Sequence, residues 1–83
     1  MTLTLQDLCA LKFLASVGGG FTAGAIARHC GCARNRSEMA IFRHLVLLKL
    51  HSAGLVDLLD HNKPNVFVIT DAGRATLKKA LLP

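Results

Sequence analysis

Five basic side chains in the middle of the chain are suited to binding phosphate or reading bases. They form a basic cluster, which consists of Arg28, Arg34, Arg36, Arg43 and Lys49. Glu38 is the only acid among them. An Arg fork donates two hydrogen bonds to guanine O6 and N7, and Lys or Arg also pairs with phosphate. With a net charge of +5, the chain is expected to bind a polyanion, nucleic acid above all. The plainer alternative is that these cations only keep an apolar chain soluble.

The cysteines offer a second kind of chemistry, metal binding or redox sensing. Cys30 and Cys32 are separated by one residue, and Cys9 or His29 would add a further ligand for a soft ion. Against this, there is no second cysteine pair, and Gly31 would turn the two thiols to different sides. Free cysteine is also commonly buried. We therefore predict reduced thiols, as in a cytoplasmic protein, with no metal and no cofactor, and keep sensing as the alternative.

Other function classes find little support in the residue types. The five carboxylates are not paired at a useful spacing, and no nucleophile motif is present. Gly18-Gly19-Gly20 follows a helix, whereas a phosphate loop follows a strand. These features argue against an enzyme. The N-terminus lacks a secretory pattern, and the apolar runs, such as 45–48, are no longer than four residues, about one helical turn, so neither export nor a membrane span is expected.

Capping residues and glycines predict the elements that position the basic cluster. In chain order these are a helix after Thr4, a short strand at Phe21, a helix over 23–30, a helix from Asn35 to about 51 or 52, strands at 55–59 and 66–70 joined by a tip at 61–65, and a helix over 71–81. Thr4, Thr22 and Asn35 are the predicted N-caps, the last in a capping box with Glu38. Gly18 to Gly20 end the first helix, because three glycines continue a helix only at high cost.

The third predicted helix has two different sides. Spacings of three and four place one apolar set inward: Met39, Ile41, Phe42, Leu45 and Leu48. The other side carries cations and small residues: Arg36, Ser37, Ala40, Arg43, His44 and Leu47. No acid lies on that second side. Because phosphate would not repel it, this side is suited to entering a major groove.

Three segments carry a resemblance to a known superfamily. They are Thr22 to Ala27, Gly54-Leu55-Val56 and Ile69 to Leu77. In this order they resemble winged helix-turn-helix transcription regulators of bacteria and phages. The resemblance implies an α+β, mainly α fold with a three-helix core, a two-stranded wing and a C-terminal helix, in a single domain over 1–83. The segment 30–35 departs from the pattern, since it is longer and more basic than the usual tight turn.

The resemblance makes the third helix a recognition helix and the loop between the strands a wing. The residues then expected to contact DNA are Arg28, Arg34, Arg36, Ser37, Arg43, His44, Lys63 and Asn65. Those on the third helix would face the groove, and Arg28 and Arg34 would contact phosphates near the turn. Lys63 and Asn65 would reach the backbone or minor groove from the wing. For Arg36 and Arg43 the simpler interpretation is a solvated helix face.

The predicted function is transcriptional regulation through duplex DNA. A repressor that occludes its site is expected, because this length leaves no room for a ligand or activation domain. Surplus leucine on a small domain favours a homodimer formed through the first and last helices. The rival hypothesis is a winged-helix protein-interaction module without DNA binding, since such folds are reused for docking. Salt dependence separates the two, because only DNA binding weakens steeply with salt.

Overall fold

A computed structural model describes residues 3–31, 33–59 and 66–81. It contains helices α1 (Leu5–Val17), α2 (Ala23–His29), α3 (Arg36–Phe42), α4 (Leu48–Ser52) and α5 (Asp71–Leu81), with a π-helical turn at Arg43–Leu47 between α3 and α4. Strands β1 (Phe21–Thr22), β2 (Val56–Leu59) and β3 (Val66–Ile69) form one antiparallel sheet in the order β1-β3-β2. Residues 36–52 are one continuous helical segment, called the third helix below. The predicted order of elements is confirmed, with boundaries within one residue.

Local hydrogen bonds set the ends of the first two helices. Thr4 Oγ1 accepts the N–H of Asp7 at 3.1 Å, and Asp7 Oδ2 accepts the N–H of Thr4 at 2.9 Å. Thr22 Oγ1 likewise accepts the N–H of Ala25 at 3.2 Å. Gly18 ends α1 with φ of 66°, a left-handed conformation that glycine adopts without a steric penalty. These ends are confirmed as predicted, because caps depend on residues only three positions apart.

The short strand β1 connects the N-terminal half of the chain to the wing. Phe21 pairs with Phe67 of β3, and Phe67 is completely buried. The short strand predicted at Phe21 is confirmed. The wing tip at 61–65, which includes the predicted contact residues Lys63 and Asn65, lies outside the described residues.

The core lies where α1, α2, the third helix and the sheet meet. Its buried apolar residues are Ala10, Leu11, Leu14, Ile26, Ala27, Phe42, Val46, Leu47, Leu50, Leu55, Val56, Phe67 and Leu77. They come from every helix and from β2 and β3, so the third helix is held by packing along most of its length.

The inner face of the third helix differs from the prediction. The residues it buries are Phe42, Val46, Leu47 and Leu50. Ile41 and Leu45, predicted to face inward, are 55% and 64% exposed. Leu47, predicted to face outward, is completely buried. Met39 and Leu48 are half-buried. The predicted faces were therefore wrong for three of the leucine and isoleucine positions.

The π-helical turn explains part of this difference. The N–H of Leu48 bonds to the carbonyl of Arg43, five residues earlier, whereas an α-helix bonds residues four apart. The turn therefore holds one extra residue. As a result, the buried positions after Phe42 are displaced along the chain, and Leu45 is left outside the core. Ile41 precedes the turn, and it lies about 100° around the helix from buried Phe42.

Thr70 joins the wing to the last helix. Its hydroxyl donates to the carbonyl of Gly54 at 2.7 Å and accepts the N–H of Gly73 at 3.0 Å. Its own N–H donates to the carbonyl of Leu55 at 3.1 Å. At Gly73 an added Cβ would overlap the Leu55 carbonyl oxygen, so the close approach of α5 to the start of the wing requires glycine.

Candidate nucleic-acid interface

The helix pair formed by α2 and α3 orients the start of the third helix. Ile26 and Ala27 of α2 are completely buried. Gly24, on the same helix, faces α3, and a Cβ there would lie 3.4 Å from Met39 Sδ. A methyl group would therefore fit at Gly24, and the burial of Ile26 and Ala27 holds α2 in the packing that fixes the direction in which the third helix presents its N-terminal end.

The start of the third helix uses its one nearby carboxylate internally. Asn35 Oδ1 accepts the N–H of Glu38 at 2.9 Å, so the predicted cap is confirmed. Glu38 Oε1 accepts the N–H of Arg34 at 2.7 Å, not that of Asn35, so the predicted reciprocal bond was wrong by one residue. Asn35 is extended, with φ of −150° and ψ of 177°, and this geometry brings the N–H of Arg34 to the carboxylate.

The described part of the predicted DNA-contact set is mostly exposed. Arg28 lies in the last turn of α2, and Arg34 lies in the segment between α2 and α3. Arg36, Ser37 and His44 are exposed on the third helix. Arg43, at the first residue of the π-helical turn, is half-buried, while Lys63 and Asn65 are outside the described residues. The exposed members therefore lie at both ends of the α2–α3 connection and along one side of the third helix.

One cation of the basic cluster has an internal partner that sequence reasoning missed. Lys49 Nζ lies 2.8 Å from Asp7 Oδ2, and the Asp7 side chain is completely buried. The same carboxylate also caps α1, which joins the first helix to α4. The available signal was a single lysine inside a leucine-rich run, between Leu48 and Leu50. A buried carboxylate requires such a partner, because an unpaired charge is strongly penalised in the interior.

The outward side of the third helix carries two unpredicted apolar residues. Ile41 and Leu45 stand four residues apart, beside the row that contains Arg36, Ala40 and His44. They border a groove of about 250 Å³ that is lined by Gln6, Glu38, Ile41, Phe42 and Leu45. The third helix therefore presents a cationic row and an apolar row side by side.

A second exposed apolar surface lies on α1 and α5. Leu5 is 86% exposed and Leu81 is 53% exposed. A hollow of about 430 Å³ between these helices and the end of α2 is lined by Leu5, Leu8, Cys9, Lys12, Phe13, Ser16, His29 and Leu81. Phe13 stacks on His29 with ring centroids 4.2 Å apart. This surface is on different helices from the cationic row of the third helix.

The cysteines do not assemble a metal site in the described part of the chain. Within residues 3–31, 33–59 and 66–81, no group of three His, Cys, Asp or Glu side chains is placed to hold a metal ion. Cys9 and Cys30 are half-buried, and Cys32 is outside the described residues. Across the same ranges, no helix has the length and apolar character to cross a membrane.

Comparison with known proteins identifies the fold. No protein-family model matches the chain, and no curated protein is similar to it in sequence. Among solved structures, RosR of Halobacterium salinarum matches with a TM-score of 0.70 and 21% identity, over 95% of this chain and 71% of RosR. RosR is a winged-helix protein. The chain therefore has an α+β, mainly helical, winged helix-turn-helix fold. The narrower likeness to bacterial and phage proteins has no support from this Halobacterium neighbour.

Proposed function

We propose that the protein is a sequence-specific regulator of transcription that binds duplex DNA through the third helix. One observation carries the proposal: the exposed side of this helix presents Arg36, Ser37 and His44 with no acid among them. Asp7 is buried and paired with Lys49, and the Glu38 carboxylate accepts the backbone N–H of Arg34. The exposed side of the helix is therefore positive at Arg36 and free of acid, as suits the surface that such a helix offers to a major groove.

The winged-helix neighbour adds support at the level of the fold. RosR is a transcription regulator, and winged helices usually place the helix after the turn in the major groove. At 21% identity, however, its contacts do not transfer residue by residue. The assignment of contacts therefore rests on the charges and exposures of this chain.

The proposed contacts divide into base reading and positioning. Arg36 reads a guanine edge from the first turn of the third helix, with Ser37, Arg43 and His44 on the same helix as further contacts. Arg28 and Arg34 bind phosphates on either side of the α2–α3 connection and set the register. From the wing, Lys63 and Asn65 complete the set.

A homodimer formed through α1 and α5 is the proposed assembly. Leu5, Val17 and Leu81 on these two helices are all more than two-fifths exposed. Exposed aliphatic residues on adjoining helices provide a self-complementary apolar surface. Because this surface lies on other helices than the cationic row, two recognition helices remain available for paired half-sites.

Repression by occlusion is the proposed mode of action. It needs only that the protein occupy its site, which the DNA-binding surface can do without further contacts. In this mode, the affinity for the site determines how well competing proteins are kept from it.

The rival function, a protein-docking module, is favoured by a different observation. Ile41 and Leu45 expose large apolar side chains on the third helix, and such residues often mark protein contacts. An apolar contact of this kind would respond little to salt.

Fluorescence anisotropy with a pool of random duplex DNA tests the proposal. If each protomer of the proposed dimer neutralises about four phosphates, affinity should fall roughly 10⁴-fold between 50 and 200 mM salt. Arg28→Ala removes one contact from each protomer and should make the slope of log K against log salt less steep by about two, whereas Lys78→Ala on α5 should leave it unchanged. A folded protein that binds no duplex at low salt would refute DNA binding and favour protein docking.

A further inference from the structure

We propose that Ile41 and Leu45 contact thymine methyl groups in the major groove, so that thymines form part of this protein's recognition sequence. The inference rests on the proposed DNA binding and deepens it. It assigns a base preference to two residues that sequence reasoning placed in the core.

The first observation is where these apolar side chains stand. Ile41 and Leu45 are 55% and 64% exposed. Scattered exposed leucines are common on any protein and mean little. Here, however, two large aliphatic side chains occur one helical turn apart on the helix proposed to enter the groove, where each would otherwise remain in water.

The second observation is what surrounds them. The neighbouring row on the same helix holds Arg36, Ala40 and His44, all exposed. Ala40 in this row is small, so a base edge can approach the helix closely. Glu38, on the opposite border of the apolar row, has its carboxylate bonded to the N–H of Arg34. The row of Arg36, Ala40 and His44 carries positive charge at Arg36 and no acid, so the surface beside Ile41 and Leu45 is better suited to DNA than to an apolar protein partner.

The third step is chemical. The C5-methyl group of thymine is the apolar feature that distinguishes base edges in the major groove, and aliphatic side chains recognise it by contact. Ile41 and Leu45 are four residues apart, about 6 Å along the helix. Because successive bases rise by about 3.4 Å, the two side chains would reach thymines about two base pairs apart.

Thymine-to-deoxyuridine replacement tests this directly, because uracil lacks only the methyl group. A recognition sequence is first selected from the random duplex pool, and its thymines are then replaced one at a time. Loss of a buried methyl group should weaken binding about four-fold at one or two positions. That sensitivity should disappear at one position in Ile41→Ala and at the other in Leu45→Ala.

Leu59→Ala is the matched control, since it also shortens an exposed leucine but lies on β2. It should keep the full ratio between thymine and uracil affinities, even if its overall affinity changes. Circular dichroism and thermal melting should show that all three variants fold, since each site is exposed.

Two results would overturn the inference, and one of them would also reject the proposed DNA binding. The protein could bind duplex DNA in a salt-sensitive way while replacement of thymine by uracil does not weaken binding, or weakens it equally in Ile41→Ala and Leu45→Ala. Either result would reject the methyl contacts and leave the proposed DNA binding in place. Absence of duplex binding at low salt would reject both the methyl contacts and the proposed DNA binding.

Discussion

Replacing Gly73 by alanine should destabilise the protein, although alanine is the better helix former. Gly73 lies in the first turn of α5, where an added Cβ would overlap the Leu55 carbonyl oxygen and come within 2.8 Å of Ile69 Cγ1. The carbonyl is backbone and already accepts the N–H of Thr70 at 3.1 Å. It therefore cannot move aside without loosening the junction between the wing and α5.

The magnitude follows from two opposed effects. Alanine in place of helical glycine gains up to about 1 kcal/mol. Overpacking against a fixed neighbour costs about 1–3 kcal/mol, and loosening the Thr70 hydrogen bond adds about 1 kcal/mol. The expected net loss in the free energy of unfolding for Gly73→Ala is therefore about 1–3 kcal/mol. For a domain of this size that lowers Tm by roughly 5–20 °C.

Gly24→Ala is the matched control, because Gly24 is also helical but has room for a methyl group. Its Cβ would lie 3.4 Å from Met39 Sδ, at the flexible end of a side chain. This variant should keep or raise Tm by a few degrees, since the helix propensity gain of about 1 kcal/mol is not opposed. Urea and thermal unfolding measure both variants. If Gly73→Ala is as stable as the parent protein, α5 does not lie as close to the Leu55 carbonyl as described.

Two further predictions concern the ion pair and the assembly. Lys49→Ala should lower the free energy of unfolding by about 1–3 kcal/mol, less than the loss of a fully buried pair, because the lysine is 41% exposed. The double variant Asp7→Asn/Lys49→Ala should recover part of this loss. Strictly additive losses in urea denaturation would mean that the pair contributes nothing to stability. Sedimentation should show a dimer that Leu81→Lys converts to a monomer, whereas Leu59→Lys, at another exposed leucine on β2, should leave the dimer intact. An unchanged dimer in Leu81→Lys would exclude this α5 surface.

Local signals in the sequence predicted the ends of the elements well. Thr4, Thr22 and Asn35 each accept a backbone N–H three residues later, and Gly18 ends α1. Cap formation depends on a few adjacent residues and on allowed backbone angles, so it is readable without knowledge of the fold. The same holds for the two apolar strands, whose length and β-branched residues are local properties.

The sequence predicted the candidate interface only in part, because one of its charged residues is paired with a residue far away in the chain. The basic residues that precede the third helix, Arg28 and Arg34, are exposed as their charge suggests. Lys49 looked like one more member of the basic cluster, yet it is paired with Asp7, 42 positions away in the chain. Pairing at that distance depends on how α1 packs on the third helix, which composition and spacing do not contain.

The sequence alone determined the type, order and ends of the helices and strands, because each depends on residues that are near neighbours in the chain. It also determined the excess of positive charge, which is a simple sum. The side of the third helix that faces water could not be read from the sequence. Ile41, Leu45 and Leu47 have similar hydrophobicity, and a regular 3.6-residue period assigned all three to the wrong side. The π-helical turn at Arg43–Leu47 shifts that period by one residue. The packing of the third helix against α1 and α2 then buries Leu47 and leaves Ile41 and Leu45 on the surface.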